Sequence, residues 1–222
     1  MSYLRHPLLS GAGVEHGFGV RDLPEPARLW RPKQVHGARA VRATLPVVGG
    51  RPEADAVAST VPDLPIGVLT ADCVPILLVT HCGGAVAAVH AGWRGLARGV
   101  VAAGVGALHE AAPPRSELFA VIGPHIGMCC YEVDEPVISA LADAFGASLG
   151  GALRPARAGH AWLDLGALAR AALCAAGLAP DAVGALNGAC TRCDSARFHS
   201  YRRDGPRAGR LHHFIAARAA EA

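Results

Sequence analysis

One cysteine and two histidines stand where apolar runs end in this chain, and together they suit a soft divalent metal. Cys73 follows the strand-like run PIGVLTAD, His90 closes GAVAAVH, and His36 sits upstream in KQVHG. Strand ends that open onto loops are where α/β folds place reactive side chains. Two imidazoles and a thiolate fill three positions of a tetrahedral ion and leave the fourth open, as catalytic zinc requires. Singly, each residue has an ordinary role: Cys73 as a small core residue, the histidines as rings satisfied by backbone. Taken together, each within two residues of Gly or Asp, they read as a metal centre. Asp72 is expected either to orient a ligand or to act as a base, with a plain turn residue as its alternative.

Three further stretches carry chemistry. In HAGWRG, Gly92 and Gly95 allow tight turns before a helix, where free N–H groups and Arg94 would hold an anion; the alternative is an ordinary strand–helix turn with Trp93 packed on the core. GPHIGMCCYEV contains the vicinal pair Cys129–Cys130, which seldom closes a disulfide because the ring is strained. That loop is expected to form a pocket wall, with His125 at the surface. CTRCDSARFHSYRRDG contains a CxxC, Cys190–Cys193, and the pair Arg202–Arg203. No second CxxC and no thioredoxin-like context accompany it, so neither a zinc nor a redox role is assigned. The two arginines suit phosphate or carboxylate, or else form a solvated basic turn.

The elements that must position these residues are mostly short strands. VEHGFGV, ARAVRATL, ADAVAST, IGVLTA, PILLVT, AVAAVH, ELFAVIG, AVGALNG and HHFIAAR read as strands, with a GGRPE turn before ADAVAST. LARGVVAAGVGALHEA, DEPVISALADAF and LDLGALARAALCAAGL read as helices, the last ended by Gly177 and Pro180. Hairpin-like strands mixed with helix-separated ones predict an α+β fold, mixed sheets flanked by helices, over a single domain of residues 1–222.

Composition narrows the function. The net charge of +3 and the lack of a Lys/Arg run argue against nucleic-acid or membrane partners. The N-terminus lacks a signal-peptide core, and no apolar run is long enough to span a bilayer. Seven irregularly spaced cysteines point to reduced thiols and a cytoplasmic location. The chain has eleven histidines but no HxH pair. A multicopper oxidase needs about ten copper-binding histidines, many in such pairs, so that chemistry is excluded.

The motifs KQVHG, ADAV, LTADCVPILL, VHAGWRG, GPHIGMCCYEV and SYRRDG, in this order, resemble one bacterial family. It was once described as laccase-like multicopper polyphenol oxidases and is now described as purine nucleoside phosphorylases. The resemblance covers about Val14 to the C-terminus. It implies a layered fold related to the deamidating cytotoxin domain, and a zinc site, with copper as the other candidate ion, at His36, Cys73 and His90. It also implies phosphorolysis of adenosine, inosine, guanosine and methylthioadenosine, plus adenosine deamination. Some members are linked to peptidoglycan editing. This chain departs from the family pattern near its start. VEHGFGVRD replaces the Ser and Thr of the usual HGFSTR, and it runs into LPEPARLWRPKQVHG without the usual Gly-rich loop and helix.

The expected partners are therefore a purine nucleoside and phosphate. Zinc would activate water for attack at purine C6, with Asp72 or a neighbour moving the proton. Arg94, Arg202 or Arg203 would hold phosphate near ribose C1′. Two alternatives stay open: a metal-free hydrolase with Cys73 activated by His90, acting on peptidoglycan precursors, and a non-catalytic partner in cell-wall or division control.

Overall fold

The computed structural model describes residues 2–45 and 50–219. The GGRPE turn expected at residues 49–53 begins at Gly49, outside the described residues. The centre of the fold is a six-stranded mixed sheet. Its strands are β2 (Ala40–Arg42), β3 (Ala56–Ser59), β5 (Val74–Thr80), β6 (Val86–Ala91), β7 (Leu118–Ile122) and β11 (Val183–Ala185), in the spatial order β11-β7-β5-β6-β3-β2. A three-stranded sheet, β1 (Glu15–Gly17), β12 (Leu211–Ala216) and β4 (Pro65–Thr70), lies against one face. Another joins β8 (Glu132–Asp134), β10 (His160–Leu163) and β9 (Leu153–Pro155).

Every residue of β5 and β6 is buried, because both faces of the sheet are covered. Ile76, Leu78, Ala87 and Val89 face a core shared with Val101, Val105, Leu168 and Leu173, from helices α3 (Val100–Ala111) and α5 (Leu165–Ala175). Leu77, Val79, Val86 and Ala88 alternate to the opposite face and meet Phe18 together with Ile66, Val68 and Ile215 of the small sheet. Each fully buried Leu, Ile or Val contributes about 1.5–3 kcal/mol. The sandwich of helices, large sheet and small sheet thus rests on alternating faces of VPILLVT and VAAVHA.

The helix expected over 96–111 is two helices, α2 (Trp93–Ala97) and α3, divided at Gly99. Gly99 has φ +83°, a left-handed conformation that glycine adopts without Cβ strain. The expected helix at 163–178 is α5, capped by the Asp164 carboxylate, which accepts the Ala167 N–H at 2.8 Å. The expected helix at 134–145 is α4 (Glu135–Phe145). The strands β8, β9 and β10 were not expected: at three or four residues each, they are too short to show a period.

Candidate active site

Strand register explains why Cys73 and His90 meet. β5 and β6 form an antiparallel hairpin with Pro75 opposite His90, so the residue just before β5 and the end of β6 share one edge of the sheet. β3 lies on the other side of β6, with Ala56 opposite Val89. That places Asp55, the residue before β3, beside His90: the His90 N–H donates to the Asp55 carbonyl at 2.7 Å.

His36 comes from a loop, and two contacts fix it. The Gln34 side chain pairs with the Leu69 backbone, donating to its carbonyl at 2.8 Å and accepting its N–H at 2.7 Å. The Asp55 carboxylate accepts the successive N–H groups of Val35, His36 and Gly37 at 3.1, 3.0 and 2.7 Å. This clamp holds His36 at φ +56°, where a non-glycine residue rarely sits. Asp55 also lies 2.7 Å from Nδ1 of His90.

The result is a compact donor set. The ligand atoms of His36, Cys73 and His90 all lie within 4.8 Å of one another. The two imidazoles meet edge to face, with centroids 4.8 Å apart. Gly92 leaves room for them: a Cβ there would stand 2.9 Å from Cys73 Sγ and 3.3 Å from His36 Cδ2. Asp55 on Nδ1 of His90 leaves Nε2 for an ion, the usual outer carboxylate of a histidine–metal site. His90 is buried and His36 exposed, so one side of the set opens to solvent. Two imidazoles, a thiolate and an orienting carboxylate fit a soft divalent ion.

The electrostatics run the same way. Burial alone would push the Cys73 thiol up, but His90 beside it and hydrogen bonds from His36 and His90 outweigh burial and bring it down to about 6. Burial would lower His90, but the Cys73 thiolate and Asp55 outweigh it and raise His90 to about 9. Without a metal the pair rests as thiolate and imidazolium at neutral pH. Metal uptake displaces the imidazolium proton.

These residues sit in a cavity of about 1030 Å³. Asp72 lines it at φ +94°, and both its oxygens are engaged: Oδ1 accepts the Thr191 hydroxyl and Oδ2 the Arg202 backbone N–H, each at 2.6 Å. Arg94 lines it with its guanidinium 4.4 Å over the Trp93 ring. Arg202 lines it too, stacked 4.9 Å over Tyr131 and donating to the Glu132 carbonyl at 2.9 Å. Arg203 is not brought to the cavity. Its guanidinium is spent on the carbonyls of Thr191, Arg192 and Phe198 and on the Asp204 carboxylate, locking the turn. His125 is half-buried rather than at the surface, with Nδ1 2.8 Å from the Gly123 carbonyl.

Three groups of residues escape a sequence reading. Asp55 orients two of the three ligands, and its only trace in sequence is a carboxylate inside the apolar ADAVAS. Arg31, Lys33, Arg51 and Arg210 join Arg94 and Arg202 around the cavity and make it cationic. The CxxC also has partners after all: Cys129 and Cys130 bring their sulfurs to Cys190 and Cys193. A lone CxxC gives no sign of this group in sequence, because the fold supplies a vicinal pair in place of a second CxxC.

Residues 20–218 match the family model described as "Multi-copper polyphenol oxidoreductase laccase". The chain belongs to this laccase-like family. One relative is "Purine nucleoside phosphorylase PA4543" of Pseudomonas aeruginosa, 40% identical over 178 residues, covering 80% of this chain and 69% of that one. "Adenosine deaminase RL5", from an unknown prokaryotic organism, is 38% identical over 70% of this chain and 59% of its own length. The crystal structure of YlmD from Geobacillus stearothermophilus superimposes with a TM-score of 0.87 at 26% identity, covering 99% of this chain and 97% of that chain. The laccase-like family thus includes relatives named for purine nucleoside chemistry. Among the described residues, histidines enter one ligand group, His36–Cys73–His90, and the other group is all cysteine. The multicopper description finds no counterpart there. No helix among the described residues is long and apolar enough to cross a membrane.

Proposed function

We propose that this chain is a metal-dependent purine nucleoside phosphorylase, acting on adenosine, inosine, guanosine and methylthioadenosine, with adenosine deaminase activity, located in the cytoplasm. The observation that carries this reading is the His36–Cys73–His90 donor set opening into a cationic cavity with aromatic walls. The names of the relatives point to the same chemistry. Zinc held by His36, Cys73 and His90, or copper in its place, would supply a Lewis acid with one open position.

The chain's own residues do the rest. Trp93, Tyr131 and Tyr201 line the cavity and offer faces for a purine. The Tyr131 hydroxyl is pushed up to about 12, by burial and then by the Cys73 charge, so it stays a donor at neutral pH. Arg94 and Arg202 hold phosphate beside ribose C1′. A phosphate oxygen bonds to C1′ as the C1′–N bond breaks, and the electron pair leaves with the purine, which takes up the proton that hydrogen phosphate gives up. The phosphate anion, held in place by the two arginines, stabilises the positive charge that develops on the ribose in this step. Asp72 acts as a positioning residue: its carboxylate fixes the backbone of Arg202. Arg31 and Pro32 come from the short connection that replaces the family's usual loop and helix, and both line the cavity beside Lys33 and Gln34 of KQVHG. That connection is where substrate range is set.

Incubating zinc-loaded protein with inosine and phosphate tests the proposal. Hypoxanthine and ribose 1-phosphate are expected in equal amounts; release of neither overturns it.

One observation favours a second reading. Asp55 bonds to His90 and His90 bonds to Cys73, a chain of contacts as in a nucleophilic Cys–His–Asp arrangement. An amide hydrolase of this kind would work without metal and would be inhibited, not activated, by zinc.

A further inference from the structure

Four sulfurs meet far along the chain from the cavity ligands. Cys129 and Cys130 lie in the turn Met128–Cys130, and Cys190 and Cys193 in the CTRC turn. All four Sγ atoms lie within 4.8 Å of one another. Cys129 Sγ is 3.7 Å from each of the other three, and Cys130 Sγ is 3.2 Å from Cys193 Sγ. A zinc ion with bonds of about 2.3 Å to four thiolates needs sulfurs about 3.8 Å apart along each edge of its tetrahedron. The three distances around Cys129 match that edge closely. The fourth is shorter, and a small opening of the turns would relieve it.

The surroundings fit a thiolate cluster. The Gly127 N–H donates to Cys190 Sγ at 3.2 Å, and Arg192 Nη1 lies 3.5 Å from Cys130 Sγ. Such donors offset the two net negative charges of a divalent ion with four thiolates. Gly127 is shaped to the cluster: a Cβ there would stand 3.3 Å from Cys129 Sγ and 3.4 Å from Cys190 Cβ. The two turns are already in register, with the Thr191 N–H donating to the His125 carbonyl at 3.0 Å.

We infer that Cys129, Cys130, Cys190 and Cys193 form a second metal site, a closed tetrathiolate that takes a soft divalent cation such as zinc. The donor set is all sulfur and leaves no open position, so the role is structural. The site clips two loops that are separated by about sixty residues. Tyr131 of the cavity wall directly follows Cys130. Thr191 directly follows Cys190, and its hydroxyl donates to Asp72. Closing the clip therefore fixes one wall of the cavity without touching the substrate.

The test is zinc content per chain on the full-length protein, prepared under reducing conditions, loaded with zinc and freed of excess. Two zinc ions per chain are expected for wild type. Cys73→Ala is expected to keep one, with X-ray absorption showing four sulfurs at about 2.3 Å. The pair Cys130→Ser and Cys193→Ser is expected to keep one zinc in a mixed nitrogen–sulfur shell, with a raised KM. Wild type holding a single zinc in an all-sulfur shell would uphold the cluster and refute the cavity metal instead. Zinc only in a nitrogen-containing shell, or a mass deficit showing a disulfide between the two turns after zinc loading, would overturn the inference. The wild-type result decides even where a variant does not fold.

Discussion

Oδ1 of Asp55 lies 2.7 Å from Nδ1 of His90, and the same carboxylate gathers the backbone N–H groups of Val35, His36 and Gly37. One buried side chain thus orients two of the three candidate donors, from different parts of the chain. Asp55→Asn keeps the shape but removes the charge. Loss of such an outer partner typically weakens metal binding about 10–100-fold. Competition with a chromophoric chelator is expected to show a loss in that range, and unchanged affinity would mean that Asp55 is only a loop clamp.

Gly92 packs directly against the donor set. Gly92→Ala places a methyl 2.9 Å from Cys73 Sγ. Overpacking of this kind costs about 1–3 kcal/mol, and here the strain falls on a ligand. The variant is expected to fold, with a modestly lowered Tm, and to lose zinc from the cavity while keeping the sulfur cluster loaded. Full cavity occupancy would show that Cys73 is free to move aside.

His213 supplies the clearest pH dependence. It is fully buried beneath the TADC turn, accepting the Gly19 N–H at Nδ1 (3.2 Å) and bonding the Thr70 hydroxyl through Nε2 (2.8 Å). Burial is the main cause that pushes it down, to about 3, with smaller contributions from His212 and His90. Unfolded, it titrates near 6.5. Between these values the unfolded chain binds the extra proton, so stability falls as pH drops below about 6.5, by up to about 1.4 kcal/mol per pH unit. At pH 5 this amounts to about 2 kcal/mol. His213→Asn keeps an acceptor for Gly19 and cannot titrate. Urea melts at pH 7 and pH 5 are expected to show a smaller acid loss in the variant; equal losses would place the acid sensitivity elsewhere.

The proposed phosphate role of Arg202 is testable apart from purine binding. Its guanidinium faces the cavity while its backbone is held by Asp72. Arg202→Ala is expected to raise the KM for phosphate about tenfold or more, as befits loss of a charged contact, and to change the KM for inosine much less. Equal effects on both would mean that Arg202 shapes the wall rather than holding the anion.

Much of the site was legible in sequence because His36, Cys73 and His90 are rare residue types at the ends of apolar runs. The α+β layering followed from alternating and continuous hydrophobic stretches. Asp55 was hidden because its role depends on β3 pairing with β6, a register the sequence does not print. The sulfur cluster was hidden because turns sixty residues apart meet only in the fold. Arg202 and Arg203 are neighbours on one short helical turn, Tyr201–Asp204, where successive side chains point about 100° apart. One reaches the cavity and the other the backbone, and composition treats them alike. The break between α2 and α3 turned on the single glycine Gly99, which the run of apolar residues masked.

The most direct test sets zinc content beside phosphate-dependent purine release, on wild type and Cys73→Ala together. Wild type is expected to release hypoxanthine from inosine only when phosphate is present. Cys73→Ala is expected to hold one zinc fewer and to release none. Release that persists undiminished in Cys73→Ala would contradict a catalytic metal at His36, Cys73 and His90.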